Sequence, residues 1–317
     1  MKSINKLKNY IPVLILILIC SVEAKSDINV VTSIKPIHSI ATNIMDGISE
    51  PLLLVEGTTS PHSYVLKPSH VEAINNADLI FFVSDDLETF LERPLGNIGS
   101  ETSVVELIKN EDLFVLKFRE NNIFLGNDHN DHDDHDDHDD HHAHAHGEYD
   151  IHIWLDPFNA KVIANNIAKE LSKLDPENTS TYQDNRDKFV DRVNETEQKI
   201  SQQLDHYVSY VTFHDAYQYF ENRFDVASSG ALTLNPDVLP GARQLSDVRE
   251  LISDNDIHCI FSEPQFNPKV VEVIADDTNI KMGILDPLGA TIPLGKDHYF
   301  GVLTDIADSL EGCGHDH

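Results

Sequence analysis

Two rhythms of apolar residues run along this chain. Short runs such as "INVVTSI" and "DLIFFVS" read as buried strands, and "PIHSIATNIM" between them has helical spacing. Ser69 and Glu72 precede the second strand as a capping-box pair, predicting a helix there. In "DIHIWLDP", Ile151, Ile153 and Leu155 alternate with His152 and Trp154, which predicts another strand. Asp156 then reads as a helix cap with Pro157 at the first helical position, followed by Phe158, Val162, Ile167 and Leu171 at helical spacing. Beyond, "YVTF", "HCIF" and "KMGIL" are further strands, and Asp215 opens the helix "DAYQYFENRF". Strand, loop and helix in repeated order predict an α/β fold with mainly parallel sheets.

One segment breaks the alternation. Over residues 176–206 a stripe of Tyr182, Phe189, Val193, Ile200 and Leu204 marks a helix that is otherwise polar and longer than usual. It reads as a connector between an α/β lobe at residues 25–175 and a second at 207–317.

Before the first lobe, Lys2, Lys6 and Lys8 precede an apolar run from Ile11 to Ile19 and the small residues around Ala24. That order predicts a signal peptide over residues 1–24 and an exported, periplasmic chain. Ile19 stands where a lipoprotein site takes a small residue, which argues against an anchor at Cys20. Export leaves Cys259 and Cys313, read as a disulfide; a thiol metal site fits an oxidising compartment poorly.

The formal net charge of -31 argues against nucleic acid or an anionic membrane surface as a partner. Part of it is local. At residues 127–148, His129, His132, His135, His138, His141, His142, His144 and His146 alternate with aspartates in a stretch that cannot form a core. It predicts a flexible loop with several weak, unselective metal sites, because ordering it on every capture costs entropy. A solvated spacer is the plainer alternative, and His315 and His317 add a similar tail.

Isolated histidines are more specific. His62 lies in "TSPHSYVLKPS", His152 on a strand face opposite the apolar row, and His214 and Asp286 at strand carboxyl ends, where α/β sheets bind ligands. Three imidazoles and a carboxylate would suit Zn2+, although pattern alone does not assemble them. His38 and His70 read as structural, and Glu263 as a residue that orders the cleft.

"SIKPIHSI", "PHSYVLKPS", "DIHIWLDP", "TFHDAYQYF", "SEPQF" and "LDPLG", in this order, resemble the zinc-binding periplasmic component of ABC importers, the cluster A-I metal-binding family. The resemblance runs from about Asn29 to Cys313. It implies two α/β lobes joined by a rigid backbone helix, zinc held between them, and delivery to a membrane permease by a monomer that is not an enzyme. The implied ligands are His62, His152 and His214; the fourth is water, a glutamate or an aspartate. Pro61 occupies the place of the glutamate and Asp286 that of the aspartate. Related manganese binders carry glutamate at the third position, so His214 argues for zinc. The resemblance also includes the Cys259–Cys313 disulfide, and a histidine-rich insertion that gathers or senses zinc.

Three other functions compete: a binder of manganese or another divalent ion, a secreted metal buffer or adhesin, and an exported zinc hydrolase. Against the last, the chain has no His-Glu-x-x-His helix and no G-x-S-x-G elbow.

Overall fold

The computed structural model describes residues 28–124, 147–204, 208–236 and 238–314. The expected signal peptide, the histidines from His129 to His146, and His315 and His317 lie outside them.

The first half comprises β1 (Val30–Thr32), α1 (Lys35–Ile44), β2 (Leu52–Leu53), α2 (Pro68–Asn75), β3 (Leu79–Phe82), α3 (Glu92–Leu95) and β4 (Ser103–Glu106). Then come α4 (Pro157–Leu174) and the long α5 (Thr179–Gln203). The second half comprises β5 (Tyr210–His214), α6 (Gln218–Phe224), β6 (Gly230–Thr233), α7 (Ala242–Asp254), β7 (Cys259–Ser262), α8 (Lys269–Thr278), β8 (Lys281–Ile284) and α9 (His298–Gly314).

The strands form two four-stranded sheets, ordered β2-β1-β3-β4 and β6-β5-β7-β8. Every pairing within them is parallel. In both, the chain steps from the first strand to one side and then crosses to the other, which creates a switch point between β1 and β3 and between β5 and β7.

Both faces of the inner strands are covered, as parallel sheets require, while the edge strand β8 stays largely exposed. On β3, Leu79 and Phe81 enter a large core that also takes in α1, α4, α5 and α9, while Ile80 and Phe82 join a smaller outer cluster with Ile74 of α2. On β5, Tyr210 faces the large core, and Val211 and Phe213 face an outer cluster with α7 and α8. The same alternation continues to His214, which therefore lies on the Tyr210 side, toward the first half. One continuous core thus spans both halves.

The long helix is buried along Tyr182, Phe189, Val193 and Ile200, the expected stripe, and Asn185 falls on it. Asn185 Nδ2 donates to the carbonyls of Ile44 and Asp46, satisfying the carboxyl end of α1. The C-terminal segment is tied back to α1: Ser39 Oγ donates to the carbonyl of Gly295, and Lys35 Nζ to that of Ala290. Cys259 of β7 and Cys313 of α9 form a disulfide, as expected.

Three local expectations are corrected. Ile153–Leu155 is a 3-10 turn rather than a strand. Asp150 Oδ1 accepts from the His152 backbone N–H and turns the chain, and Trp154 is as buried as Ile153, so the alternation is not one of burial. Ser69 and Glu72 form no capping box, because Pro68 is already helical and Lys67 is the cap. Asp215 does not open a helix; it is buried after β5, and α6 begins at Gln218. Asp156 does cap α4, accepting from the Phe158 N–H, although Phe158 itself is exposed.

Candidate metal centre

Three unlike pieces of backbone meet at one point. His62 sits on a 3-10 turn, Pro61–Ser63, whose cap Ser60 accepts from the His62 N–H. His152 precedes the Ile153–Leu155 turn and is buried; His214 is the last residue of β5 and is buried too. The ring centroids are 5.9 Å apart for His62 with His152, 5.9 Å for His62 with His214, and 5.3 Å for His152 with His214. One nitrogen from each lies within 4.8 Å of the others.

Carboxylates fix which nitrogens face inward. Asp150 Oδ1 is 2.8 Å from His152 Nδ1, and Glu263 Oε1 is 2.6 Å from His214 Nδ1. An ionised carboxylate only accepts, and with both groups ionised the proton is assigned to each Nδ1, which donates. The two Nε2 lone pairs then point at each other across 3.4 Å. Two acceptors that close repel unless a proton or a metal cation lies between them. Zinc–imidazole bonds of about 2.0–2.1 Å in a tetrahedron put adjacent nitrogens about 3.3–3.4 Å apart.

Glu263 immediately follows β7, the strand beside β5, so His214 and its partner stand on either side of the switch point. Burial pushes the Glu263 carboxyl well above its usual range, opposed by attraction to His152. A divalent cation held by His214 would act in that second direction.

Behind these pairs lies more buried charge. Arg119 donates to Asp215 Oδ1 at 2.8 Å and to Glu221 Oε2 at 2.6 Å, and its guanidinium lies 4.1 Å over the Phe124 ring. Burial pushes Asp215 up to about 8 against the pull of Arg119, with Asp150 and Glu221 raising it further. The segment carrying Arg119 bridges the halves: Phe118 N–H donates to Glu148, and Phe124 N–H to Ser229 beside β6.

Leu87, Trp154, Phe266, Pro287 and Leu288 make the remaining walls mostly apolar. Such walls lower the local dielectric and strengthen the pull of oriented imidazoles on a cation. The cavity measures about 10 Å³, room for one water-sized sphere.

Asp286 is not part of the three-histidine group. Its Oδ1 accepts from Gln265 Nε2 at 2.7 Å and from the N–H groups of Leu288 and Gly289 at 3.0 Å each; Oδ2 accepts from the Ala290 N–H. Gly289 has φ +63°, and a Cβ there would collide with Val302 and His298, so glycine is needed for this turn. His38 and His70 have structural partners, the Pro51 carbonyl and the Tyr64 hydroxyl.

Sequence reasoning missed Asp150 and Arg119. For Asp150 a signal existed: a carboxylate two residues before a histidine can cap that residue's N–H. Arg119 carried none, because its partners lie 96 and 102 residues away.

Residues 30–313 match the family model described as "Zinc-uptake complex component A periplasmic". The chain is 41% identical over 303 residues to the high-affinity zinc uptake system protein ZnuA of Brucella abortus (strain 2308), covering 90% of this chain and 91% of that protein. Its counterpart in Yersinia pestis is 36% identical over 287 residues, with 90% of each covered. Among solved structures, the laminin-binding protein Lmb of Streptococcus agalactiae, titled a bifunctional protein with adhesin and metal transporting activity, is similar at 25% identity and a TM-score of 0.72. That match covers 90% of this chain and 100% of Lmb.

Proposed function

The chain belongs to the family of the periplasmic component A of the zinc-uptake complex, and from that premise we propose that it captures one Zn2+ with His62, His152 and His214 and hands it to the permease of an ABC importer. The observation that carries this is the pair of facing Nε2 atoms at 3.4 Å, each set by a carboxylate on its far side. That spacing suits zinc, and an all-imidazole protein set favours it over the harder Mn2+.

Capture follows from acid–base chemistry. Neutral imidazoles bind the ion, so affinity falls as the pH drops through the histidine range. Asp150 and Glu263 hold the tautomers and raise imidazole basicity. The fourth position falls to an oxygen. Water fits it better than Asp286, whose two oxygens already accept from neighbouring groups.

Residues 1–24 act in this reading as the export signal, and the mature chain works in the periplasm as a monomer with no nucleic-acid partner. No helix among the described residues is long and apolar enough to cross a membrane. The two lobes are residues 25–175 and 207–317, with 176–206 as connector. The histidines from His129 to His146 serve as weak accessory sites that gather zinc, and the protein performs no catalysis.

Calorimetric zinc titration tests the assignment. His62→Ala and His214→Ala should each weaken the tight site by more than about 100-fold, beyond the loss expected for a supporting residue. His138→Ala should leave it within about twofold, since one weak site among several contributes little. Equal losses from cleft and accessory substitutions would refute it.

A further inference from the structure

Three imidazoles leave one coordination position, and two residues lining the cavity around them, Glu263 and Gln265, each have a buried oxygen without a hydrogen-bond partner. Gln265 lines that cavity, and its Oε1 is buried without a hydrogen-bond partner. The orientation of the amide is not arbitrary. Both oxygens of Asp286 accept from the N–H groups of Leu288, Gly289 and Ala290, so the nitrogen end of Gln265 must face it, as it does at 2.7 Å. Turning the amide over would set oxygen against oxygen. Asp286 therefore commits Gln265 to present its carbonyl oxygen elsewhere.

The other acceptors around the cavity are engaged or turned away from the open position. Ser60 Oγ accepts from the His62 N–H, and Glu263 Oε1 pairs with His214. The second Glu263 oxygen has no hydrogen-bond partner, but that carboxyl lies behind the His214 ring, at Nδ1, on the far side from Nε2. The Pro287 carbonyl accepts from Trp154 Nε1 at 2.7 Å, and the Leu288 carbonyl lies 2.9 Å from His298 Nε2. A buried carbonyl oxygen left unpaired is costly, so a partner is expected once the site is filled. A water on zinc is a strengthened donor, because the ion's charge acidifies it.

Resting on the zinc reading above, we propose that Gln265 is the positioning residue for the fourth coordination site: its Oε1 accepts the hydrogen bond of the water that completes the zinc tetrahedron, and Asp286 sets the amide for that task. Asp286 then contributes from one residue further out, without touching the ion. The arrangement also bears on selectivity. A single oriented acceptor suits one bound water, whereas Mg2+ and Ca2+ keep more oxygen ligands around them.

Gln265→Met keeps the length of the side chain and removes the acceptor. Its zinc affinity, measured by competition with a chromophoric chelator, should fall about tenfold, the lower end for a supporting residue. At full occupancy by Co2+, the visible ligand-field band of the variant should differ from that of the unsubstituted protein. A merely structural role would not move that band. Thermal melting of the metal-free variant checks that it folds; if it does not, Gln265→Asn, which withdraws the oxygen by one methylene, is measured the same way. Affinity within twofold and an unchanged cobalt band would overturn the proposal. A cobalt spectrum of the unsubstituted protein lacking the tetrahedral signature would instead overturn the zinc reading.

Discussion

Asp150 and Glu263 do as much for the histidine cluster as the backbone does. Each binds an Nδ1 and leaves its imidazole one way to face. Asp150→Asn and Glu263→Gln should each weaken zinc binding about 10- to 100-fold, the range for carboxylates behind metal-bound histidines. Chelator competition checks this, and unchanged affinities would show that the rings are held by packing alone. At this scale the sequence was partly legible. His214 stood out because a strand followed by a histidine puts it at a sheet's carboxyl edge, and the structure brings it within 3.4 Å of His152. Glu263 could be suspected but not paired, since nothing local says that β7 lies beside β5. Asp286 looked like a free strand-end carboxylate. Its use by the N–H groups two to four residues on depends on a left-handed turn at Gly289 that composition does not announce.

At the scale of elements, periodicity located strands and helices well and failed where side chains competed with the backbone. "IHIWL" has a strand's alternation, yet the Asp150 side chain takes the His152 N–H and starts a turn. The connecting helix was legible because its stripe holds over 25 residues, longer than any local competitor can imitate. The carboxyl end of β3 carries a less visible device: Glu88, fully buried, accepts from the N–H groups of Val83 and Ser84 at 3.1 and 2.9 Å. Burial pushes its carboxyl up to about 7, with help from Glu106, against the Ser33 hydroxyl and those N–H groups. Between the ordinary carboxylate range and about 7, the folded chain keeps a proton that the unfolded chain has released. This contribution to stability is whole below that range and lost as the pH rises through 7, a change on the order of 3 kcal/mol. Chemical denaturation at pH 5 and pH 8 should show the native protein losing that much relative to Glu88→Gln. A difference between the two proteins that does not change with pH would contradict it.

Across the whole molecule, the continuous core matters most. Residues of β1 and β3, the α5 stripe, Tyr210 of β5 and the inner face of α9 belong to one cluster, and Lys35, Ser39 and Asn43 of α1 hold the segment from Ala290 to Lys296. A shared core and these ties favour small adjustments around the ion over a wide closing of two bodies. Two sheets and a long helix could be read from the sequence; that they share one core could not, because it depends on which faces of β5 and β7 turn inward. In the proposed function, tight capture belongs to three scattered histidines and not to the conspicuous run from Asp128 to His146. Its most direct test is a calorimetric zinc titration of the protein with residues 128–146 deleted. One tight zinc equivalent should remain, with affinity unchanged within about twofold, since the run's sites are weak ones; loss of that equivalent would rule out the three-histidine assignment.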